Sequence, residues 1–595
     1  MEKIHYTDER DILMVISFLK KYNIHKVITS PGTTNHTLVK SMQNDPFFEM
    51  YSSVDERSAA YMACGLCSES GEPVVITCTE ATASRNYMPG LTEAFYRKLP
   101  ILALTTSHGR NNVGNLVAQV LDHSAIPNDI AVYHNYIPAI NSEKDYKLAE
   151  HIMNEAFLAL FHRGGGPVYL TLESGSSRDY SVTDLPKVRV ITRCSGYGDW
   201  PSLPHGKIGI FIGSHNEWSY EATRCVDDFC EKTGAVVFCD HTSGYYGKFK
   251  VNYALVGGQD MYRSELSKLR LLIRVGEISG DYFSGLIEGQ ATEVWRVNED
   301  GRLADKMGKL TKVFEMPEEQ FFSYYASIAD NIVQVGSHPI ELYREEKKYI
   351  ESNIPELPFS KVWIAQQLIH RLPAESYIHF SILGSLRAGN FFDLPEGVRG
   401  GCNVGGFGID GATSTLIGAS LANKDRIHFL MTGDLAFFYD LNAIGNRHIG
   451  SNVRILLINN GDGTEFRQYW HPISAFSKEE ADLYMAAGGH FGNQSRSLVR
   501  DIAKDLGFNY VTADTKDEFR LHIDKFVQPE MTDKPIIFET FTDSEVDSQA
   551  VRTMRHLVKD SGYLKRLAKE KMTDAVKNML GDGAIDVAKQ VLRKK

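Results

Sequence analysis

Between Thr432 and Gly463 the chain sets two polar clusters at the ends of two apolar runs, and that pairing limits the fold more than any other feature. Ile427 to Met431 reads as a buried strand that ends in Thr432-Gly433-Asp434-Leu435. Val453 to Ile458 reads as a second strand and runs into Asn459-Asn460-Gly461-Asp462-Gly463. The segment around Phe437 to Arg447 has helical length, so the three pieces make a βαβ unit with parallel strands. Such sheets bind ligands outside the carboxyl ends of their strands. The Asp434 carboxylate, the Asn460 carboxamide and the main-chain carbonyl of Asp462 offer hard oxygens there. Donors of that kind suit Mg²⁺, or Mn²⁺, holding a diphosphate.

A second cluster lies near the amino terminus. Lys26 to Ser30 reads as a short strand, and Pro31-Gly32-Thr33-Thr34-Asn35 as a turn into a helix. Tyr51 to Ala60 follows, with Val54-Asp55-Glu56-Arg57-Ser58 leading into small helical residues. Read alone, Asp55-Glu56-Arg57 is a solvated helix start whose acids suit the amino-terminal dipole.

Together the two clusters resemble the thiamine diphosphate (ThDP) enzymes, whose diphosphate motif is usually Gly-Asp-Gly followed, a helix later, by Asn-Asn. Leu435 stands at the third position, a departure that one branch of the family shares. The nearer resemblance is to the menaquinone-pathway synthase that joins decarboxylated 2-oxoglutarate to isochorismate. Three stretches carry it: Ser30-Pro-Gly with Val54 to Ala60, Gly408-Ile409-Asp410-Gly411, and Gly433-Asp434-Leu435 with Tyr439-Asp440-Leu441-Asn442. The order of strands and helices matches from about residue 5 to 545.

The resemblance implies an α/β fold of three doubly wound parallel-sheet domains: pyrimidine-binding, central and diphosphate-binding. It puts Glu56 against the cofactor's aminopyrimidine, where a buried setting would let the carboxyl keep its proton. Gly32, Asn86, Ile409, Gly433, Asp434, Leu435 and Asn460 match cofactor-binding positions, with Asp434, Asn460 and Asp462 around the metal. Ile409 matches the large apolar residue that props the cofactor, although ordinary core is its bland reading. Gln119 falls where the family often carries a Gln facing the substrate, and joins Glu56 as a catalytic candidate. A homodimer or homotetramer follows by the same analogy, with the active site at a subunit interface.

The departures bear on substrate. Of the arginines that grip the synthase's acidic substrates, one is replaced by Thr34 and another by Val404, and a third has no clear counterpart. Arg387 lies two positions out of register with it. Arginine forks recognise carboxylates bidentately, so a 2-oxo acid other than 2-oxoglutarate is expected. Arg85, His108, Arg110, Arg467 and His471 are the replacements on offer, each also readable as a surface Arg or a structurally bonded His. Phe466 stands where simple decarboxylases of the superfamily carry a catalytic Glu, which favours carboligation. The expected activity is therefore ThDP- and Mg²⁺-dependent decarboxylation of a 2-oxo acid with transfer to an acceptor. The rivals are a non-oxidative decarboxylase of the phosphonopyruvate or sulfopyruvate type and a non-catalytic binding module. The intact Glu56, Asp434 and Asn460 argue against the last.

At 595 residues the chain has length for several domains. A net charge of −11 favours neither nucleic acid nor an anionic membrane. No apolar run reaches the roughly 20 residues of a membrane span, and no signal-peptide core follows Met1. Eight cysteines without a regular framework suit a reducing cytoplasm. Cys64-Gly-Leu-Cys67 lacks the second pair a metal site would need and reads as buried thiols in a helix. Strand–helix alternation divides the chain into residues 1–185, 206–340 and 352–545, with Tyr180 to His205 as a Pro-containing linker. Gly213-Ser214-His215 and Gly276-Glu277 follow strand ends of the central block, but no full dinucleotide fingerprint accompanies them. The tail, 546–595, carries 12 Lys and Arg against 6 Asp and Glu, about +6 against −17 for the rest. Its Leu557, Leu564, Leu567, Val576, Met579 and Leu580 suggest short amphipathic helices packing on the body or on a neighbour.

Overall fold

Neighbouring residues of the apolar runs point to opposite sides of a sheet, and helices cover both sides. The computed structural model describes residues 3–173, 176–196, 200–281, 283–329, 338–490 and 494–564. Leu567, Val576, Met579 and Leu580 of the tail lie outside them. The described chain forms two compact units: residues 1–193 with 303–312, and residues 194–302 with 313–564.

The first unit holds β1 (Lys26–Thr29), β2 (Glu49–Ser52), β3 (Val74–Thr79), β4 (Ile101–Ser107), β5 (Tyr133–Ile137) and β6 (Val168–Glu173). They pair in parallel in the order β2-β1-β3-β4-β6-β5. Val27, Val75, Leu102 and Leu170 pack on one side with the helices Arg10–Lys21 and Glu143–Ala159. Their neighbours Ile28, Ile76, Ala103 and Tyr169 pack on the other with Glu56–Ser70 and Met88–Arg97. Cys64 and Cys67 are buried free thiols in that second layer.

A second sheet contains β7 (Thr192–Ser195), β8 (Ile208–Ile212), β9 (Val236–Cys239), β10 (Lys250–Asn252), β11 (Leu271–Val275), β12 (Glu293–Asn298) and β13 (Leu310–Glu315). Its order, β10-β9-β8-β11-β12-β13-β7, reverses direction between β8 and β11, the place where doubly wound sheets open a crevice. A cavity of about 1010 Å³ lies there, lined by Ser214, Gly276, Glu277, Asn298 and residues of the third sheet such as Arg399 and His379.

The third sheet holds β14 (Tyr377–Phe380), β15 (Arg399–Cys402), β16 (His428–Gly433), β17 (Val453–Asn459), β18 (Asn509–Ala513) and β19 (Ile536–Phe541). All its pairs are parallel, in the order β15-β14-β16-β17-β19-β18. That is the connectivity of the first sheet, a likeness that the two sequences hide.

Some expectations change. The stretch read as a linker contains β7, and Tyr6 bridges Val182 within it. The helix expected over Phe437 to Arg447 starts earlier, at Asp434, and stops at Tyr439. Asp440 leaves the helical region (φ −117°, ψ 24°) and turns its carboxylate to Ser414, accepting from the backbone N–H at 2.6 Å and from Oγ at 2.7 Å. A 3₁₀ turn over Leu441–Gly445 completes the connection.

Candidate active site

The pairing of Thr432 with Leu457 and of Gly433 with Ile458 makes the turns after β16 and β17 emerge side by side. Asp434 opens its helix as a buried carboxyl. Its Oδ1 accepts the N–H of Leu435 at 2.8 Å and its Oδ2 that of Gly461 at 2.7 Å. The second bond reaches across to the neighbouring turn, where Gly461 adopts φ +70°, a value glycine takes without strain. Asn460 accepts the Asp462 N–H at 3.1 Å on Oδ1 and donates through Nδ2 to Thr464 Oγ1 at 2.5 Å and Asp547 Oδ2 at 2.9 Å. Asp434, Leu435, Gly461 and Asp462 line one small cleft with Phe438 and His490. Burial pushes the Asp434 carboxyl up to about 6, against its backbone bonds and the positive charge of Lys361. A cation beside it would favour the ionised form.

These residues fit a divalent ion with a diphosphate. One buried carboxyl still has lone pairs to give, the carboxamide oxygen beside it is turned toward the same loop, and the donor set is all oxygen. The Asp462 side chain is committed elsewhere, accepting from Ser544 Oγ at 2.8 Å and pairing with Lys478 at 3.3 Å.

Several candidate substrate handles are engaged inside the fold. Arg467 pairs with Asp482 and, at 3.5 Å, with Asp462. His471 accepts the Ile473 N–H at 3.2 Å and caps a 3₁₀ turn. Arg387 is buried and forks onto Glu465 at 2.8 and 3.2 Å, with Trp470 beneath the guanidinium. Phe466 meets His471 edge to face. Ile409 is half-buried on the loop that enters the helix Ala412–Ala422 through Gly411 (φ +84°).

The first unit presents its candidates after the ends of β1 to β4. Gly32 follows β1, and a Cβ there would stand 2.7 Å from Thr79 Cβ, so only glycine fits. Thr34 is buried and bonds Thr79 Oγ1 at 2.5 Å and Thr106 Oγ1 at 2.7 Å. Its hydroxyl is spent on the fold rather than offered to a substrate. After β2, Asp55 caps the helix by accepting from the Ser58 N–H at 3.1 Å, and Glu56 is the first helical residue. Asn86 Nδ2 donates to Glu56 Oε2 at 3.3 Å. Glu56 is half-buried, not enclosed as the resemblance implied, and Val54, Tyr61 and Met62 of the same stretch are exposed.

The loop after β4 carries His108 and Arg110, both exposed, and Gln119, exposed at φ +63°. Its far end is tied down: the Leu121 N–H donates to Glu80 Oε1 at 2.9 Å, and Arg85 donates to the Asp122 carbonyl at 2.8 Å. His123 stands 3.7 Å from Glu80, and burial with the charge of Arg85 lowers it to about 4. Residues 80, 110, 123, 134, 136 and 169 share a cavity of about 150 Å³ under this loop.

The sequence did not reveal Asp547, Thr464 or Lys361 around Asn460. Thr464 lies in the turn itself and could have been singled out as a local hydroxyl. Asp547 comes from a helix 87 residues downstream with no motif of its own.

Residues 13–126 match the family described as thiamine pyrophosphate enzyme, N-terminal TPP binding domain. Over its length the chain is similar to proteins named 2-succinyl-5-enolpyruvyl-6-hydroxy-3-cyclohexene-1-carboxylate synthase. That of Phocaeicola vulgatus is 28% identical over 568 residues, covering 93% of this chain and 99% of the relative. That of Bacteroides fragilis is 28% identical over 578 residues, covering 93% and 100%. That of Flavobacterium psychrophilum is 26% identical over 558 residues, covering 90% and 96%. The match over residues 13–126, the parallel α/β sheets and this length of similarity fit the thiamine diphosphate-dependent enzyme superfamily, with the chain similar to these synthases.

Proposed function

We propose that this enzyme binds ThDP with Mg²⁺ or Mn²⁺ at the carboxyl edge of its third sheet, decarboxylates a 2-oxo acid, and joins the remainder to an acceptor. The observation that carries the reading is the bond from Gly461 N–H to Asp434 Oδ2, which ties the two polar turns into one oxygen-rich cleft. ThDP, when bound, supplies the electron sink for loss of CO₂. The chain supplies the rest. Asp434, Asn460 and the Asp462 carbonyl would hold the ion, and Gly433 and Leu435 would line the diphosphate turn. Glu56 would hold a proton against the aminopyrimidine, with Asn86 fixing its Oε2. Gly32 would set the turn after β1 against Thr79 next to the cofactor, Ile409 would prop the cofactor, and Gln119 would orient substrate from its loop. His108 and Arg110 are the exposed polar groups nearest that loop's start.

The donor acid differs, in this reading, from 2-oxoglutarate. Arg387 is locked on Glu465, and Thr34 is spent on Thr79 and Thr106, which supports the loss of the handles a second carboxylate requires. A homo-oligomer belongs to the same proposal. Val54 (81% exposed), Tyr61 (47%) and Met62 (45%) are exposed apolar residues of the same stretch as the half-buried Glu56, and a second copy covering this stretch would supply the burial that an acid in this role needs. A cytoplasmic location accompanies it; among the described residues no helix is long and apolar enough to cross a membrane.

The test is CO₂ release from pyruvate, 2-oxoglutarate, phosphonopyruvate and branched 2-oxo acids, with ThDP and Mg²⁺ present. Release from one acid, lost in Asp434→Asn, is expected. Strong turnover of 2-oxoglutarate would overturn the donor assignment. Free aldehyde in the presence of acceptors would favour the plain decarboxylase.

A further inference from the structure

Lys361 is a buried charge at the carboxyl edge of the third sheet, and the reading above gives it no partner. It begins the helix Lys361–Ile369, and its backbone N–H donates to Asp547 Oδ1 at 2.5 Å. The residue is 7% exposed. Its Nζ has one hydrogen bond among the described residues, 3.4 Å to Thr464 Oγ1, a hydroxyl already bonded by Asn460 at 2.5 Å. No carboxylate of a described residue lies within ion-pair distance of it. Lys347, equally buried, shows what a structural lysine looks like in this chain. Two carboxylates, Asp393 and Glu351, hold its Nζ at 2.5 and 2.7 Å.

An ammonium taken out of water without a carboxylate in contact is costly, yet the fold makes room for this one. Gly384, just after β14, would bring a Cβ within 3.0 Å of Nζ if it carried one. The ammonium therefore lies by the end of β14 and against Thr464 in the turn after β17, and its charge acts on Asp434 after β16. These are three adjacent strands of one sheet. An anion placed over that edge meets the negative charges of Asp434 and Asp462, so a divalent ion alone has several charges to offset. Resting on the ThDP reading, we infer that Lys361 is a second, protein-borne cation for the cofactor's diphosphate, sharing with the divalent ion the task of holding it. A lysine suits the part, since its compact charge on a flexible stem meets phosphate oxygens without a fixed fork.

The experiment is a titration of the full-length protein with ThDP, and separately with inorganic pyrophosphate, read by intrinsic tryptophan fluorescence. Each titration is run at saturating Mg²⁺ and in chelator. The native chain is expected to bind both probes, more weakly but measurably in chelator. Lys361→Met should weaken both probes at least tenfold with Mg²⁺ present and abolish binding in chelator, while Lys361→Arg keeps part of the affinity. Gly384→Ala, which crowds Nζ without removing its charge, should weaken both probes and guards against a misfolded Met variant. Unchanged affinities in folded Lys361→Met and in Gly384→Ala overturn this assignment and leave the ThDP reading standing. Failure of the native chain to bind ThDP with Mg²⁺ overturns both.

Discussion

At the scale of single residues, the candidate site turns on two carboxyls with opposite requirements. In the proposed role Glu56 would need a proton to give or hold, and Asn86 donates to one of its oxygens at 3.3 Å. Glu56→Gln keeps the shape and removes the acid, so turnover should fall by about 10²- to 10⁴-fold while ThDP affinity, read by fluorescence, stays nearly constant. A variant with normal turnover would remove Glu56 from the mechanism. In the proposed role Asp434 would have to lose its proton to a metal. Burial holds its carboxyl up at about 6, so below that pH each bound ion must displace a proton. The apparent Mg²⁺ affinity at fixed ThDP should then fall about tenfold per pH unit below 6 and level off above it. Calorimetric titration between pH 5 and 8 checks this, and a flat profile would mean that Asp434 is no ligand.

At the scale of elements, the turn after β1 is held by close contact rather than by sequence chemistry alone. Gly32 faces Thr79 Cβ at 2.7 Å and Cγ2 at 3.0 Å, and the Thr79 hydroxyl is itself tied to Thr34. Gly32→Ala must push the turn off β3 and should cost about 1–3 kcal/mol. Gly433, with open space where a Cβ would go and a negative φ of −86°, should accept alanine within ~0.5 kcal/mol. Denaturant melts of the two variants compare them directly, and equal stabilities would refute the contact argument. Elements also decide what a reader of the sequence can see. The strands at 26–30, 427–431 and 453–458 were legible because they are short runs bounded by turn residues. The edge strands Glu49–Ser52, Tyr133–Ile137, Arg399–Cys402 and Asn509–Ala513 were not, because edges carry polar residues that look like loop. Asp434 and the Asn460 turn were legible as local motifs. The Arg387–Glu465 fork joins residues 78 apart, and nothing local in either announces that the arginine is already taken. Burial of Glu56 was expected from the role the resemblance implies, and the single chain leaves it half-buried.

At the scale of the whole molecule, buried titratable groups of both signs set how stability follows pH. Asp11, Asp281 and Asp434 are raised by burial to about 7, 6 and 6, while burial lowers His123 and His379 to about 4. A raised carboxyl contributes stability fully present below its unfolded value near 4 and lost as pH rises through its folded value. A lowered histidine does the reverse: its contribution is present above about 6.5 and lost as pH falls toward 4. Between pH 4 and 6 the two sets oppose each other, and the metal-free chain should show only a shallow pH dependence there. Asp11 isolates one side of the balance. It is 3% exposed in the first turn of its helix, lies near the charge of Glu9, and among the described residues its Oδ2 has no hydrogen-bond partner. Asp11→Asn keeps the shape and removes the charge. At pH 8 the native carboxylate is ionised against its surroundings, so the variant should be the more stable by on the order of 2–4 kcal/mol. At pH 5 the native carboxyl is protonated in the fold, and since the unfolded chain is still largely ionised the advantage should shrink to about 2 kcal/mol or less. Urea melts of both proteins at the two pH values measure the difference of differences. An Asn variant that gains nothing between pH 5 and pH 8 would show that the Asp11 carboxylate is paired or hydrated in the folded chain.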